Sequence, residues 1–118
     1  MGKNNYEKGR IGEKIALKYL ESRGFKIITT NYRTNFGEID IIAKDKEYIV
    51  FIEVKFRRNL KQGFPREAVG KSKQKNIIKV AGDFIMRNNL INTDFRFDVA
   101  EVCQGAVNYI ENAFWDWI

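Results

Sequence analysis

Two apolar, β-branched runs, only five residues apart, constrain the fold of this chain more than any other feature. The first run, residues 36–43, contains Asp40, and the second, residues 49–55, contains Glu53 and Lys55. Strands of this composition are normally buried, and a buried carboxylate without compensation costs several kcal/mol. The charged residues in these runs therefore need a cation, a ligand or a partner close by.

The overall charge indicates a polyanionic partner. The chain has 21 Lys and Arg residues against 15 Asp and Glu residues, which gives a formal net charge of +6. A basic balance of this size favours nucleic acid over acidic partners. The 118 residues fit one domain, residues 1–118, with an aromatic C-terminal tail at about residues 112–118.

Residue types that are rare or missing narrow the chemistry further. The chain has no histidine, which excludes His-dependent nucleases, Ser-His-Asp and Cys-His hydrolases, and zinc sites that use imidazole. The single Cys103 forms no intrachain disulfide, the first residues lack the apolar segment of a signal peptide, and no apolar run is long enough to span a membrane. We therefore expect a cytoplasmic protein with no membrane partner, whose chemistry uses carboxylates, lysine and a hard metal.

The periodicity of the apolar residues predicts two helices and five strands. Spacings of three and four predict one helix at about residues 6–23, with an apolar stripe of Ile11, Ile15, Ala16, Tyr19 and Leu20, and another at about residues 66–88. Apolar and β-branched runs predict strands at about residues 25–33, 38–43, 48–56, 94–103 and 106–110. Asn59, Gly63 and Pro65 predict a loop at residues 56–66. The order α-β-β-β-α-β-β indicates an α/β fold, with a mixed central sheet flanked by helices.

The short connection at residues 44–47 determines how the second and third strands pair. It has the length that joins antiparallel neighbours, and pairing through it places Asp40 opposite Glu53. Because side chains alternate across a strand, we also expect Ile39 and Ile41 to share the face opposite to that of Asp40.

Asp40 and Glu53, here called the carboxylate pair, suit a divalent metal. Two carboxylates a few ångströms apart favour a shared proton or a divalent cation. Mg²⁺, or Mn²⁺ in its place, takes oxygen ligands and is commonly held by one or two carboxylates together with a substrate phosphate. Lys55, on the same face as Glu53, would then orient the attacking water or stabilise charge on the phosphate. Without such a ligand, the same residues form an ordinary cross-strand salt bridge.

The Glu53-Val54-Lys55 spacing is not informative by itself. Random placement of the acidic and basic residues of this chain gives about 2.7 acidic-x-basic triplets, and three occur. The apolar strand around the triplet, and an aspartate thirteen residues upstream in a second apolar strand, are what distinguish it.

Two resemblances rest on these residues. Gly37-Glu38-Ile39-Asp40 followed by Glu53-Val54-Lys55 resembles the signature of the PD-(D/E)xK nuclease superfamily, with the spacing seen in archaeal Holliday-junction resolvases. Over nearly its whole length the chain also resembles the YraN-type family of small bacterial proteins, through that signature and the segments Gly9-Arg10-Ile11-Gly12-Glu13, Gly24-Phe25, Asn31-Tyr32-Arg33 and Arg96-Phe97-Asp98-Val99. The resemblance implies a restriction-endonuclease-like fold.

The resemblance also implies roles for the site residues. It makes Asp40, Glu53 and the backbone carbonyl of Val54 the metal ligands, and Lys55 the catalytic lysine. Ile39 stands where the superfamily pattern has proline, at a position that varies across the superfamily.

Two further residues match the pattern more weakly. Glu13, on the first helix, is similar to an additional acidic residue of the resolvase-like sites, and Gln74 is similar to a polar residue from the helix after the core strands. Glu13 has a plainer interpretation, because glutamate is a good helix former on a solvated face. Glu38 is either a group that supports Asp40 or an exposed residue at the end of a strand.

A basic segment follows the predicted active strand. Between Lys55 and Lys79 there are nine Lys and Arg residues against one acid, Glu67. Charge runs are often solvated faces, but this one adjoins the carboxylate pair, where basic side chains would hold phosphates on either side of the scissile bond. The residues expected to bind nucleic acid are Arg57, Arg58, Lys61, Lys71, Lys73 and Lys75.

Three functions are compatible with this pattern. The leading one is a metal-dependent endonuclease that hydrolyses phosphodiester bonds in DNA, with branched or damaged DNA as substrate. The alternative is a catalytically inactive nuclease-fold module that binds nucleic acid in DNA repair, recombination or RNA processing, and a third is a small basic protein of RNA or ribosome metabolism. The aromatic tail either packs on the core or forms a homodimer surface through Trp115 and Trp117.

Overall fold

The computed structural model describes residues 2–57 and 70–113, with side chains from residue 9 onward. Most of the predicted loop at residues 56–66 and most of the aromatic tail lie outside these ranges, so the predictions for them stay predictions. The described residues form two helices and five strands in the predicted order. Neither of the two helices is long and apolar enough to cross a membrane.

The elements agree closely with those predicted from the sequence. In chain order they are α1 (Gly2–Ser22), β1 (Lys26–Thr34), β2 (Gly37–Asp45), β3 (Tyr48–Phe56), α2 (Lys71–Arg87), β4 (Asp94–Cys103) and β5 (Ala106–Ile110). Helix α2 begins at Lys71, not at about residue 66, because its N-cap residue Gly70 has an extended backbone, with ψ 160°, that a helix cannot include.

The five strands form one mixed sheet in the order β1-β2-β3-β4-β5. β3 and β4 pair in parallel, and the other neighbouring strands pair antiparallel. α2 lies in the connection between the two parallel strands, as a parallel pair requires. The fold class predicted from the sequence, an α/β fold with a mixed sheet flanked by helices, is confirmed.

Helix α1 covers one face of the sheet. Ala16 and Leu20 are fully buried there against a cluster that includes Val50, Ile52 and Ala100. Ile11, predicted to belong to the buried stripe, is instead 54% exposed. The stripe that meets the sheet runs through residues 12, 16 and 20, because residues four apart along a helix lie on the same side.

Gly12 of α1 packs on the sheet with room for one methyl group. A Cβ atom built on it would lie 3.6 Å from Phe56 and 3.9 Å from Val102, which are ordinary contact distances. Since alanine also costs less conformational entropy in a helix than glycine, we expect Gly12→Ala to stabilise the protein by about 0.5–1 kcal/mol. Urea unfolding measures this change. Gly12→Leu is the control, which we expect to destabilise the protein by overfilling the same contact, and a Gly12→Ala variant less stable than the parent would contradict this packing.

Helix α2 covers the other face. Its buried residues Ile77, Val80, Ala81 and Phe84 pack on a cluster that includes Ile42 and Phe51. Tyr32 of β1 joins this side, since its hydroxyl donates to Asp83 of α2 at 2.5 Å. Each face of the sheet therefore has its own core.

The alternation of side chains in β2 is interrupted at Asp40. Ile39 belongs to the core under α2, whereas Ile41 belongs to the core under α1. The expectation that both share one face is therefore wrong. The interruption lies beside Asn31 of β1, whose φ of 53° is in the left-handed region, because a residue in that conformation disturbs the regular pleat.

A buried ionic network holds β4 to its neighbours at the other end of the sheet. Asp98 is fully buried and accepts hydrogen bonds from the guanidinium of Arg96, the hydroxyl of Tyr109 and the backbone N–H of Asn112. Arg96 also donates to Asp45 at 3.0 Å. Because these hydrogen bonds and the charge of Arg96 satisfy it, Asp98 has a structural role, and its burial does not indicate a second site.

Candidate active site

The carboxylate pair lies where β2 begins and β3 ends. The register of these strands continues through Ile41 opposite Ile52, so that Asp40 and Glu53 are the next residues in line. The two carboxyl groups are close enough for Glu53 to raise the pKa of Asp40. The predicted juxtaposition of Asp40 and Glu53 is therefore present in the structure, and it follows from the tight turn at Lys46 and Glu47.

The surroundings of Asp40 favour its protonated form. Burial, then the hydrogen bond and the negative charge of Glu53, and finally the charge of Glu13 raise the pKa of Asp40 to about 8. The backbone N–H of Val54 acts in the opposite direction by donating to Asp40 Oδ2 at 2.8 Å. At neutral pH, and with no added cation, the carboxylate pair therefore holds one proton.

Glu53 has an oxygen that its protein surroundings leave poorly satisfied. Its side chain is only 6% exposed, and among the described residues its Oε2 atom has no hydrogen-bond donor. The ammonium of Lys73 lies 3.0 Å from the same atom, but the approach lacks hydrogen-bond geometry. We take the contact as an ion pair, in which a half-exposed lysine compensates the charge of a buried carboxylate.

These observations fit a hard divalent cation. A buried carboxylate oxygen without a hydrogen bond, beside a second carboxyl group that must lose a proton to become charged, is the donor set that Mg²⁺ prefers. Within the described ranges no three acidic or thiol side chains converge closely enough to hold a metal, so the site provides two carboxylates. The Val54 carbonyl, implied as the third ligand, belongs to a residue that already contacts Asp40 through its N–H.

Lys55 lies at the same end of β3 and is partly buried. Burial first, and then the positive charge of Lys73, lower the pKa of Lys55, whereas Glu53 and Asp40 raise it. Lys55 is therefore more readily deprotonated than an exposed lysine. A lysine so placed can give hydrogen bonds to a water or phosphate oxygen and can exchange a proton more readily than an exposed lysine.

Glu13 reaches the site from α1 through Asn31. The amide of Asn31 donates to Glu13 Oε2 at 3.2 Å and, more weakly, to Glu38 Oε1 at 3.4 Å. Glu38 in turn forms an ion pair with Arg33 at 2.6 Å. Both glutamates are therefore held at the rim of the site by a residue that the sequence interpretation did not select.

The residue type of Asn31 and its place inside a strand are signals in the sequence that point to its unusual backbone. Asparagine inside a strand is unusual, and it is the non-glycine residue that most readily adopts positive φ. That conformation, φ 53°, turns its side chain toward the two glutamates.

A cleft of about 610 Å³ opens between α1 and the ends of the first three strands. Asp40 and Val54 lie in its wall, together with Glu13 and the partly exposed ring of Phe56. Four further charged residues, of both signs, also line it, namely Arg10, Lys14, Arg33 and Glu38. The volume suits a small-molecule ligand or one nucleotide unit of a polymer.

Gln74 lies on the side of α2 that faces the sheet. It is half-buried, one residue after Lys73 and one turn before Ile77. Its place in the site and its catalytic role, which the resemblance implies, stay predictions.

The basic residues expected to bind nucleic acid divide into three groups. Lys71 and Lys75 are exposed on the first turns of α2, next to Lys73. Arg58 and Lys61 lie outside the described residues. Arg57, by contrast, forms an ion pair with the buried Glu101, and only 19% of its side chain is exposed.

Arg57 therefore supports the sheet, and we expect its loss to lower stability without weakening DNA binding. Arg57→Met leaves the carboxylate of Glu101 buried, with Asn108 as its remaining donor in the described residues. The expected cost is about 2 kcal/mol of unfolding free energy. Chemical denaturation measures it, and the salt dependence of DNA binding supplies the control. Lys75→Met, which removes an exposed cation, should reduce the salt dependence of DNA binding and leave the unfolding free energy unchanged. A reduced salt dependence for Arg57→Met would contradict its structural role.

Comparison with known proteins gives a family for this fold and site. The model of the uncharacterised protein family UPF0102 matches residues 12–102, which include every site residue from Glu13 to Gln74. A UPF0102 protein of Clostridioides difficile (strain 630) is 54% identical over 113 residues, covering 94% of this chain and 99% of the relative. UPF0102 proteins of Alkaliphilus metalliredigens and Caldicellulosiruptor saccharolyticus are 52% and 43% identical, covering 90% and 94% of this chain and 96% and 99% of the relatives.

Proposed function

This chain belongs to the uncharacterised protein family UPF0102, and we propose that it acts as a Mg²⁺-dependent nuclease of the PD-(D/E)xK type. Its reaction would be hydrolysis of phosphodiester bonds in DNA, with branched or damaged DNA as the substrate. The observation that carries the proposal is the carboxylate pair, in which a buried oxygen of Glu53 lacks a hydrogen bond beside a protonated Asp40.

The residues that would hold the metal are Asp40, Glu53 and the carbonyl of Val54. Mg²⁺ bound there supplies Lewis-acid activation of the phosphate and of the attacking water. Asp40 must release its proton when the cation binds, so the affinity for Mg²⁺ rises with pH through about 8. Glu53, now paired with Lys73, would hold the cation, and the ammonium of Lys73 would then contact a phosphate.

Lys55 is the residue that would act on the reacting atoms. Its lowered pKa and its position next to Glu53 allow it to hydrogen-bond the attacking water and to exchange a proton with it. Glu13, fixed by the amide of Asn31, would orient groups on the α1 side of the cleft. Lys71, Lys73 and Lys75 would contact phosphates on the other side, without reading the base sequence.

A cytoplasmic location belongs to the same proposal. The lone Cys103 is a buried free thiol, as is usual in a reducing compartment.

The test is cleavage of a panel of DNA substrates. We expect Mg²⁺ or Mn²⁺ to support cutting of a four-way junction, a flap or a nicked duplex, and EDTA to abolish it. The same panel made of RNA checks the choice of substrate. Absence of cutting on every DNA, with the protein folded and metal present, would reject the nuclease assignment.

One observation favours a second candidate, a nuclease-fold module that binds DNA or RNA without cutting it. Lys73 already compensates Glu53, so the site is neutralised without a metal. This candidate expects salt-dependent nucleic-acid binding that is unchanged in Asp40→Ala, and no Mg²⁺-dependent change in stability.

A further inference from the structure

An exposed aromatic ring stands at the tip of the β1–β2 turn. Phe36 is 53% exposed and belongs to neither of the two core clusters formed by the described residues. The backbone N–H of Phe36 donates to the hydroxyl of Thr34 at 3.1 Å, and this hydrogen bond orders the turn. The ring is therefore held in place without being part of the core.

Helix α2 fixes the position of this turn. The ammonium of Lys79 lies 5.0 Å from the centre of the Phe36 ring, at cation–π distance. At the next residue, a Cβ built on Gly37 would lie 3.9 Å from Asn76 Cβ, so the turn rests against the helix. The φ of Gly37, 145°, is one that other residues rarely adopt, which ties this approach to glycine.

Two lysines of α2 connect the ring to the carboxylate pair. Lys73 contacts Glu53, and Lys79, six residues further along the helix, contacts Phe36. The helix rises about 9 Å between these two contacts. Along β2, Phe36 is about 13 Å from Asp40. Since neighbouring bases along one strand rise about 3.4 Å, these lengths correspond to two to four nucleotides.

We propose that Phe36 stacks on an unpaired base of the substrate, two to four nucleotides from the phosphate that is cut, while Lys79 contacts the adjoining backbone. The inference rests on the proposed DNA substrate and adds a feature, the Phe36 ring, by which the protein would select DNA with unpaired bases. In a regular duplex both faces of each base are covered by its neighbours, so a protein ring finds a free face only where bases are unpaired. Stacking of this kind accepts any base, and the lysines of α2 supply positive charge for the phosphates of the DNA.

The experiment measures binding in EDTA, where cutting does not interfere. The probes are a DNA duplex and the same duplex interrupted by a short unpaired loop that contains 2-aminopurine. We expect Phe36→Ala to weaken binding to the looped DNA by about 5- to 150-fold, with no more than about a twofold change on the duplex. Phe36→Trp, which retains a stacking ring, should restore the preference and the fluorescence change of 2-aminopurine. Met86→Ala is the matched control, because Met86 is a large apolar residue, 79% exposed, on the helix α2 that also carries Lys79.

The outcomes separate this inference from the proposed function. If Phe36→Ala binds both DNAs as the unchanged protein does, or weakens both equally, the stacking role is overturned and the nuclease proposal stands. If Phe36→Ala loses only the looped DNA and no DNA is cut with Mg²⁺, the stacking role stands and the nuclease proposal falls. If the unchanged protein binds neither DNA in EDTA, the stacking role is overturned, and cutting of the DNA panel with Mg²⁺ decides the nuclease proposal separately.

Discussion

Asp40→Ala and Lys55→Met are each expected to slow DNA cleavage by at least about 100-fold while the protein remains folded. Asp40→Ala removes one of the two carboxylates that would hold the metal, and Lys55→Met removes the amine that would contact the attacking water. Single-turnover cleavage of the best DNA substrate at saturating protein measures the effect on the chemical step, since binding no longer limits the rate.

Matched variants control for charge and position. Asp94→Ala removes an exposed carboxylate from β4, and Lys44→Met removes an exposed amine from the other end of β2. Both should retain the rate of the unchanged protein within a few-fold. Cleavage that persists in Asp40→Ala and in Lys55→Met would show that the reaction takes place elsewhere.

The second large effect is a dependence of stability on pH in the metal-free protein. The pKa of Asp40 rises from its ordinary value of 3.8 to about 8, so folding favours the protonated carboxyl. The stabilisation is fully present below about pH 4 and is lost as the pH rises through about 8. A shift of this size sets an upper limit of about 6 kcal/mol, and the electrostatic coupling of Asp40 to its neighbours reduces what is observed to about 2–5 kcal/mol.

Urea unfolding at several pH values between 5 and 9 in EDTA measures this loss. Asp40→Asn cannot ionise, so its stability should fall much less over the same range and should exceed that of the unchanged protein at pH 9. The difference between the two proteins isolates Asp40 from Lys55, whose lowered pKa acts in the opposite sense at alkaline pH, and from other buried groups.

Added Mg²⁺ extends the test. If the carboxylate pair binds the cation, Mg²⁺ should restore the stability of the unchanged protein at pH 9 and leave that of Asp40→Asn nearly unchanged. A metal-free protein whose stability is the same at pH 5 and pH 9 would contradict the buried, proton-sharing pair.

The sequence predicted the strands and their pairing because both depend on local patterns. The bounds of β3, Tyr48–Phe56, were predicted from a β-branched run, and the pairing of β2 with β3 followed from the short connection between them. A tight turn fixes the register of an antiparallel pair, and the register brings Asp40 to Glu53. The meeting of Asp40 with Glu53 therefore depends on the short segment that forms β2, the turn and β3.

Two other outcomes depend on contact with a distant element. Ile11 has the spacing of a buried stripe, but it lies outside the line of residues 12, 16 and 20 that packs on the sheet, and it is exposed. Arg57 belongs to a basic run, yet the buried Glu101 on β4 takes its guanidinium. Neither outcome follows from a spacing, because each depends on which part of the sheet lies opposite.

The amino-acid sequence by itself determined the order of the elements, the mixed sheet and the meeting of Asp40 with Glu53. Only the tertiary structure decided that Lys73 compensates Glu53, that Asn31 holds Glu13, and that Phe36 stands against Lys79. The reason is physical. Periodicity and turn length act between neighbours along the chain, whereas these three contacts join a strand or turn to a helix far away in sequence, and the packing of helix on sheet sets their geometry.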